Sequence, residues 1–314
     1  VNITGTNDNG WRENALGGYA ETVENSGVAS TGLPTLVSGA STVVNITSAN
    51  LFGGAATDFE TAQLEISGGA TVNLMGLSPN DTHTKDFDNA GMLFSGQGTS
   101  TLNNSPNLLI TGAGTTVNIA QSNHGVFNAG VTHITGGATV DVQGGLLLTG
   151  YLNSSPDSPG TTVTEAMTNA LPGVTQVADG GSIVVGDKGH LVLNKGMSLG
   201  IAADGELANG GRVALYQGST LVYSAGGDHK LAGTVVNDGT IQITDAKLDL
   251  TGAALEKFSG TAGTIAVERS TSTNDKMARV DMTSDQLSSW LAKDGSVTVK
   301  GTTERKARLH LGTE

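Results

Sequence analysis

Leu64-Glu-Ile-Ser-Gly-Gly-Ala-Thr-Val-Asn-Leu74 reads as a short apolar strand, a glycine bend, and a second strand with one polar residue between two apolar ones. The phrase recurs as Leu36-Val-Ser-Gly-Ala-Ser-Thr-Val-Val-Asn-Ile46, as Leu108-Leu-Ile-Thr-Gly-Ala-Gly-Thr-Thr-Val-Asn-Ile119 and as Thr132-His-Ile-Thr-Gly-Gly-Ala-Thr-Val-Asp-Val142. Alternation of the Val-Asn-Leu kind has the period of a strand, not of a helix. A unit this small cannot bury its apolar side alone and must bury it against its neighbours in a stack. The phrase therefore predicts an all-β parallel solenoid, with Val, Ile and Leu pointing inward and the glycine bends at its corners.

The bend glycines fall at 39, 68, 112 and 136, so the intervals are 29, 44 and 24 residues. These are expansions of one coil of about 20 to 25 residues, the surplus forming loops. The turn-rich stretches 76–91 and 151–175, the latter with Pro156, Pro159 and Pro172, are the expected insertions. Thr164 to Leu171 could add a helical turn or two within the second. Beyond it the phrase becomes a glycine turn followed by one strand, as in Gln217-Gly-Ser-Thr-Leu-Val-Tyr223 and Asn237-Asp-Gly-Thr-Ile-Gln-Ile243.

Three segments follow from this reading: an N-terminal cap over 1–35, a solenoid over 36–250, and a small mixed α/β tail over 251–314 that serves as cap or junction. Trp11 is placed to close the N-terminal end of the stack. In the tail, 252–258 reads as a short helix. Thr283-Ser-Asp-Gln286 is a capping-box pattern opening a helix to Lys293, with Leu287, Trp290 and Leu291 on one face and Gly295 at its C-cap. Strands follow around 296–300 and 305–311.

Composition narrows the function classes. Glycine is abundant, at 46 of 314 residues, and aromatic content is only 4%, which suits a thin core of aliphatic side chains. Net charge is −13, and residues 1–254 carry 7 basic against 21 acidic side chains. An acidic body repels phosphate backbones and anionic lipid, so nucleic acid is excluded as a partner. No apolar run is long enough to span a bilayer, so no membrane insertion by this segment is expected. The absence of cysteine suits a chain exported unfolded, and a start at Val1 suggests a processed piece of a longer precursor.

Residues 25–57 and 89–140 contain no Asp, Glu, Lys or Arg. Low charge without low hydrophobicity argues for folded structure whose surface is Thr, Ser, Asn and Gly. Asn45, Asn73, Asn118 and Asp141 hold one equivalent place in the phrase. Stacked inward, they would form an amide ladder along the axis. Facing outward, as alternation favours, they would form a polar stripe. With Thr115 and Thr139 they make up the expected interaction surface.

Signatures of catalysis and of cofactors are missing: there is no phosphate-binding glycine loop, no paired zinc histidines and no cysteine cluster. No enzyme activity and no cofactor are expected. The one calcium candidate is Asp81, Asp86 and Asp88, in a loop that departs from a calcium-binding pattern at Ala90 and Gln97. Asp228 and His229 are adjacent, so in a strand they point to opposite faces and cannot jointly grip a substrate. His124, His133 and His190 read as surface or turn residues.

Ser67-Gly-Gly-Ala-Thr-Val-Asn-Leu74, Thr135-Gly-Gly-Ala-Thr-Val-Asp-Val142 and Asn237-Asp-Gly-Thr-Ile-Gln-Ile243 resemble passenger domains of bacterial autotransporters and related surface adhesins, over about residues 36–250. The resemblance implies a right-handed parallel β-helix, secretion to the bacterial cell surface, and a role in adhesion, aggregation or biofilm. The outer-membrane barrel and the Gly-Asp-Ser-Gly protease motif found in members of that family are not in this sequence. The leading expectation is an extracellular adhesin or self-associating structural protein that contacts itself, a surface protein or a glycan. The alternatives are a subunit of a self-assembling fibre and a glycan-active β-helix enzyme or tailspike.

Overall fold

A computed structural model describes residues 2–4, 15–17, 35–47, 50–53, 64–75, 92–95, 108–119, 124–128, 131–143, 146–152, 170–171, 174–193, 197–258, 263–270, 277–303 and 305–312. The chain winds as a parallel β-solenoid whose strands build three faces in rotation. The first face comprises Asn2–Thr4, Val43–Thr47, Thr71–Met75, Thr116–Ile119, Thr139–Val142, Ser182–Val185 and Glu206–Asn209. The second runs from Ala15–Gly17 through Asn50–Gly53, Met92–Ser95, His124–Asn128, Leu146–Leu152, His190–Leu193, Arg212–Leu215 and Gly233–Asn237 to Ala253–Glu256. The third runs from Thr35–Ser38 through strands such as Leu64–Ser67, Leu108–Thr111, Val131–Thr135 and Thr240–Thr244 to Thr264–Glu268 and Ser296–Lys300. From residue 228 a fourth sheet, Asp228–Lys230, Lys247–Asp249, Ala278–Thr283 and Ala307–Gly312, takes the first face's place in the winding order.

The corner between third and first faces is where the recurring phrase does its structural work. Gly136 and Gly137 adopt φ of 62° and 78°, and Gly68 and Gly69 adopt 63° and 81°, a region that side chains disfavour. Close stacking adds a second requirement. A Cβ on Gly136 would lie 3.0 Å from the backbone nitrogen of Gly112 in the coil before it. The turn thus needs glycine both for its own dihedrals and for its neighbour's approach.

Inside, alternation converts directly into columns. On the third face Ile66, Ile110, Ile134, Val177, Ile201, Tyr223, Ile243 and Val267 stand in register, one per coil, and all are buried. Burying each aliphatic side chain is worth roughly 1.5–3 kcal/mol. That gain exists only because another coil covers it, which is why the repeat is stable as a stack and not alone.

Both ends extend the stack further than the sequence suggests. Asn2–Thr4 and Ala15–Gly17, expected within a cap, pair in parallel with Val43–Thr47 and Asn50–Gly53 and begin the first two faces. Trp11 lies outside the described residues. The tail likewise carries strands of three sheets, so the sheets continue past residue 250. The expected helix at 252–258 is instead the strand Ala253–Glu256. Ala-Ala-Leu-Glu has helix propensity, but Ala253 and Leu255 bury alternately against the core beside the waiting edge of Gly233–Asn237. Packing of this kind overrides a weak local preference.

The second tail helix forms as the sequence indicates. It spans Ser284–Ala292, with Thr283 and Gln286 closing a capping box. Trp290 is buried and Leu287 half-buried, whereas Leu291 faces solvent at 50% exposure. The left-handed residue of its C-terminus is Asp294, φ 61°, not Gly295. The amides of Gly295 and Asp294 donate to the carbonyls of Trp290 and Leu291, a Schellman arrangement. Gly295 is needed for a different reason: a Cβ there would fall 2.3 Å from the Trp290 ring.

The insertion 76–91 and most of 151–175 lie outside the described residues. Within the latter, Ala170–Leu171, expected in a helical turn, is a strand antiparallel to Tyr151–Leu152. Among the described residues no helix is long and apolar enough to cross a membrane.

Candidate interaction surface

Outward side chains of the first face form two columns. The first stacks Val43, Thr71, Thr116, Thr139, Ser182 and Glu206 in register. The second stacks Asn45, Asn73, Asn118, Asp141, Val184 and Ala208. Adjacent strands of a sheet lie about 4.8 Å apart, and alternate residues along a strand about 6.7 Å apart. The face therefore presents hydroxyls and amides on a regular grid.

The grid is internally bonded. Asn73 Nδ2 donates to Asn45 Oδ1 at 2.8 Å, and Asn118 Nδ2 donates to Asn73 Oδ1 at 2.7 Å. Ladder and outward stripe are thus not alternatives here, because the amides face out and still bond along the axis. Val44 and Ile46, Val72 and Leu74, and Val117 and Ile119 flank them inside the core. Asp141 holds the same column position, but an ionised carboxylate has no hydrogen to give Asn118 Oδ1. Its Oδ2 accepts from Gln143 Nε2 at 2.9 Å. Thr139 and Ser182 hydroxyls meet at 3.1 Å in the neighbouring column.

Thr115 does not belong to this surface. It is 0% exposed, at the inner side of the corner. Its hydroxyl donates to the Thr111 carbonyl at 2.8 Å and accepts from the Gly69 amide at 3.0 Å, tying two coils together. The strand proper begins one residue later, so Thr116 is the outward residue.

The fourth sheet replaces this sparsely charged surface with an ionic one. Asp228, Lys247, Arg279 and Arg308 share one column, and Lys230, Asp249, Asp281 and His310 the next. Arg279 Nε donates to Asp281 Oδ1, and Lys247 Nζ lies 3.9 Å from Asp281 Oδ2. Arg279 Nη2 approaches His310 Nδ1 at 2.9 Å. Sequence reading missed this column. Its signal was a recurring triplet with ionisable residues on either side of one inward residue, Asp228-His-Lys230, Lys247-Leu-Asp249, Arg279-Val-Asp281 and Arg308-Leu-His310.

The remaining candidates do not converge. Asp228 is exposed while His229 turns inward and tilts against buried Tyr223 at 5.0 Å between ring centroids. Burial lowers the His229 pKa despite the opposing charge of Asp228. His190 faces out beside Arg212, and burial followed by that cation lowers its pKa. His133 lies in the third face's outer row, its pKa lowered by partial burial. Among the described residues no group of three or more His, Asp or Glu could hold a metal. Asp81, Asp86 and Asp88 lie outside them. Comparison with family models, curated proteins and solved structures finds no match.

Proposed function

We propose that this protein is a secreted bacterial surface adhesin or self-associating structural protein whose contacts run through the first face. The observation that carries the reading is the Thr/Asn grid, held by the bonds Asn118 to Asn73 to Asn45. Side chains already fixed in one geometry lose less entropy when a partner docks. Hydrogen bonds to such groups are individually worth about 0.5–1.5 kcal/mol net, but a periodic row of them adds avidity without a single dominant contact. A second copy, a surface protein or a glycan presenting repeated hydroxyls or amides fits this chemistry.

Cell–cell aggregation by surface-displayed protein tests the reading. Thr116→Lys with Thr139→Lys should abolish aggregation while leaving the far-ultraviolet spectrum unchanged, since both side chains face outward. Because the Thr and Asn rows that form the contact carry no charge, aggregation should hold between low and moderate salt. Collapse over that range would place the contact on charged surface and reject the proposal.

A further inference from the structure

The outer side of the fourth sheet departs from the charge of the rest of the molecule. Lys247, Arg279 and Arg308 stand in register in one column, and Lys306 lies exposed just ahead of the last of these strands. Beside them are only the carboxylates of Asp249 and Asp281, so the cluster carries +2 on a chain whose total is −13.

Within the cluster Arg279 is already fixed in place. Its Nε donates to Asp281 Oδ1, and its Nη2 meets His310 Nδ1 at 2.9 Å. A guanidinium can only donate, so His310 Nδ1 accepts and its proton sits on Nε2, on a ring that is 53% exposed. One edge of Arg279 is thus spent on holding it, and Nη1 is left without a partner among the described residues.

Arg308 is in a different situation. It follows Arg279 in the column, about 4.8 Å along, and its side chain is exposed. Asp281 lies between Lys247 and Arg279 and offsets their repulsion, whereas no described carboxylate meets Arg308. Three donors therefore border one place that lacks a counter-charge: Arg279 Nη1, the Arg308 guanidinium and His310 Nε2. Paired guanidinium donors suit the oxygens of a carboxylate or sulfate, and a donor held in advance loses little entropy on binding.

We propose that this column binds an acidic polysaccharide, with one of its carboxylates or sulfates seated between Arg279 and Arg308. Lys247 and Lys306 lie one strand spacing and one side-chain repeat away, so further acidic groups of a repeating chain find cations at regular intervals. The strip is two residues wide and has an acidic body around it. A single sugar chain can lie along such a strip. A duplex or a lipid surface would have to approach the acidic flanks as well. This contact is independent of the neutral rows on the first face.

Binding of the full chain to immobilised polygalacturonate, dextran sulfate and neutral dextran tests it. One of the two acidic polymers or both should bind, and which one does identifies the oxyanion; neutral dextran should not. Arg308→Gln should weaken binding about tenfold, the loss of one charge-assisted contact, with the far-ultraviolet spectrum unchanged because the side chain is exposed. Lys188→Gln removes an equal charge from an exposed turn elsewhere and should change binding less than about twofold. Raising salt from about 0.05 M to about 0.5 M should weaken binding at least about tenfold, unlike aggregation through the first face. Binding no stronger than to neutral dextran, equal losses from Arg308→Gln and Lys188→Gln, or equal binding to duplex DNA or to vesicles of anionic lipid would each overturn the proposal. The Thr116→Lys, Thr139→Lys variant should still bind the polysaccharide, so failure of one contact is told apart from failure of the other.

Discussion

Asn73 lies within the amide ladder, and its removal should cost twice what removal of Asn118 costs. Its Nδ2 donates to Asn45 and its Oδ1 accepts from Asn118, so Asn73→Ala deletes two hydrogen bonds. Asn118→Ala deletes one, because Asp141 does not extend the ladder. The groups left behind sit on a half-exposed surface where water can replace the lost partner, so no desolvation penalty is added. At about 1 kcal/mol net per bond, the single substitutions should cost about 2 and about 1 kcal/mol. The double variant should cost about 2 kcal/mol, not 3, because the bond between the two residues is lost only once. That difference is a coupling of about 1 kcal/mol in a double-mutant cycle. Urea unfolding of the four proteins, followed by circular dichroism at constant m, measures all three values. Equal single costs, or strictly additive ones, would mean that water satisfies each amide separately and that the ladder contributes nothing.

Gly136→Ala should lower stability by more than about 2 kcal/mol, seen as a lower Tm, since it adds a side chain at φ 62° and places its Cβ 3.0 Å from the Gly112 nitrogen. Thr132→Val and Thr175→Val should each stabilise by about 1 kcal/mol in the same measurement, because both hydroxyls are buried in register without a partner. Asp245 forms a buried pair with Arg269 at 2.9 Å, and both side chains are nearly inaccessible. Burial disfavours its ionised form, but the hydroxyl and amide of Ser270 and the guanidinium of Arg269 outweigh it and hold the pKa below the ordinary 3.8. A carboxyl with a depressed folded pKa contributes stability that is present above its unfolded value and lost as pH falls through the folded one. Asp245→Asn should therefore flatten the decline of stability below about pH 4, and Arg269→Ala at neutral pH should cost about 3–5 kcal/mol, both read by urea titration.

Most of the solenoid was legible because its signal is strictly local and repeated. The Val-Asn-Leu and Val-Asp-Val triplets set which side chains face in, and the strand pairing places Asn45, Asn73, Asn118 and Asp141 in one column as their spacing implied. What failed to show was decided by neighbours. Ala253–Glu256 is a strand because an edge awaits it, and no property of Ala-Ala-Leu-Glu records that edge. Thr115 and Thr116 are adjacent and alike in type, and only the start of the strand puts one inside and the other outside. The amide bonds along the outward stripe were hidden for a related reason. Alternation fixes the direction of a side chain, but whether neighbours bond depends on coils 28 and 45 residues away being in exact register.

The charge-free stretch follows from the same geometry. An outward column repeats about every 4.8 Å, and two like charges at that distance repel by about 1 kcal/mol in water and more beside protein. An amide escapes this, because each can donate to the rung before and accept from the rung after. The fourth sheet shows the other solution, in which Lys247, Arg279 and Arg308 share a column and the carboxylates of Asp249 and Asp281 beside them offset the repulsion. Where the adjacent column is Thr and Ser, no such relief exists. Asn118→Asp puts this to the test, since it sets a carboxylate directly beside Asp141 and removes the donor to Asn73. The variant should lose about 2 kcal/mol at low salt, half from the bond and half from repulsion. At about 1 M salt, where the Debye length is near 3 Å, the repulsive half should vanish and the other half persist. Asn118→Ala, which loses only the bond, should show no such recovery. A salt response shared by both variants would mean that spacing along the column does not govern which residues it can hold.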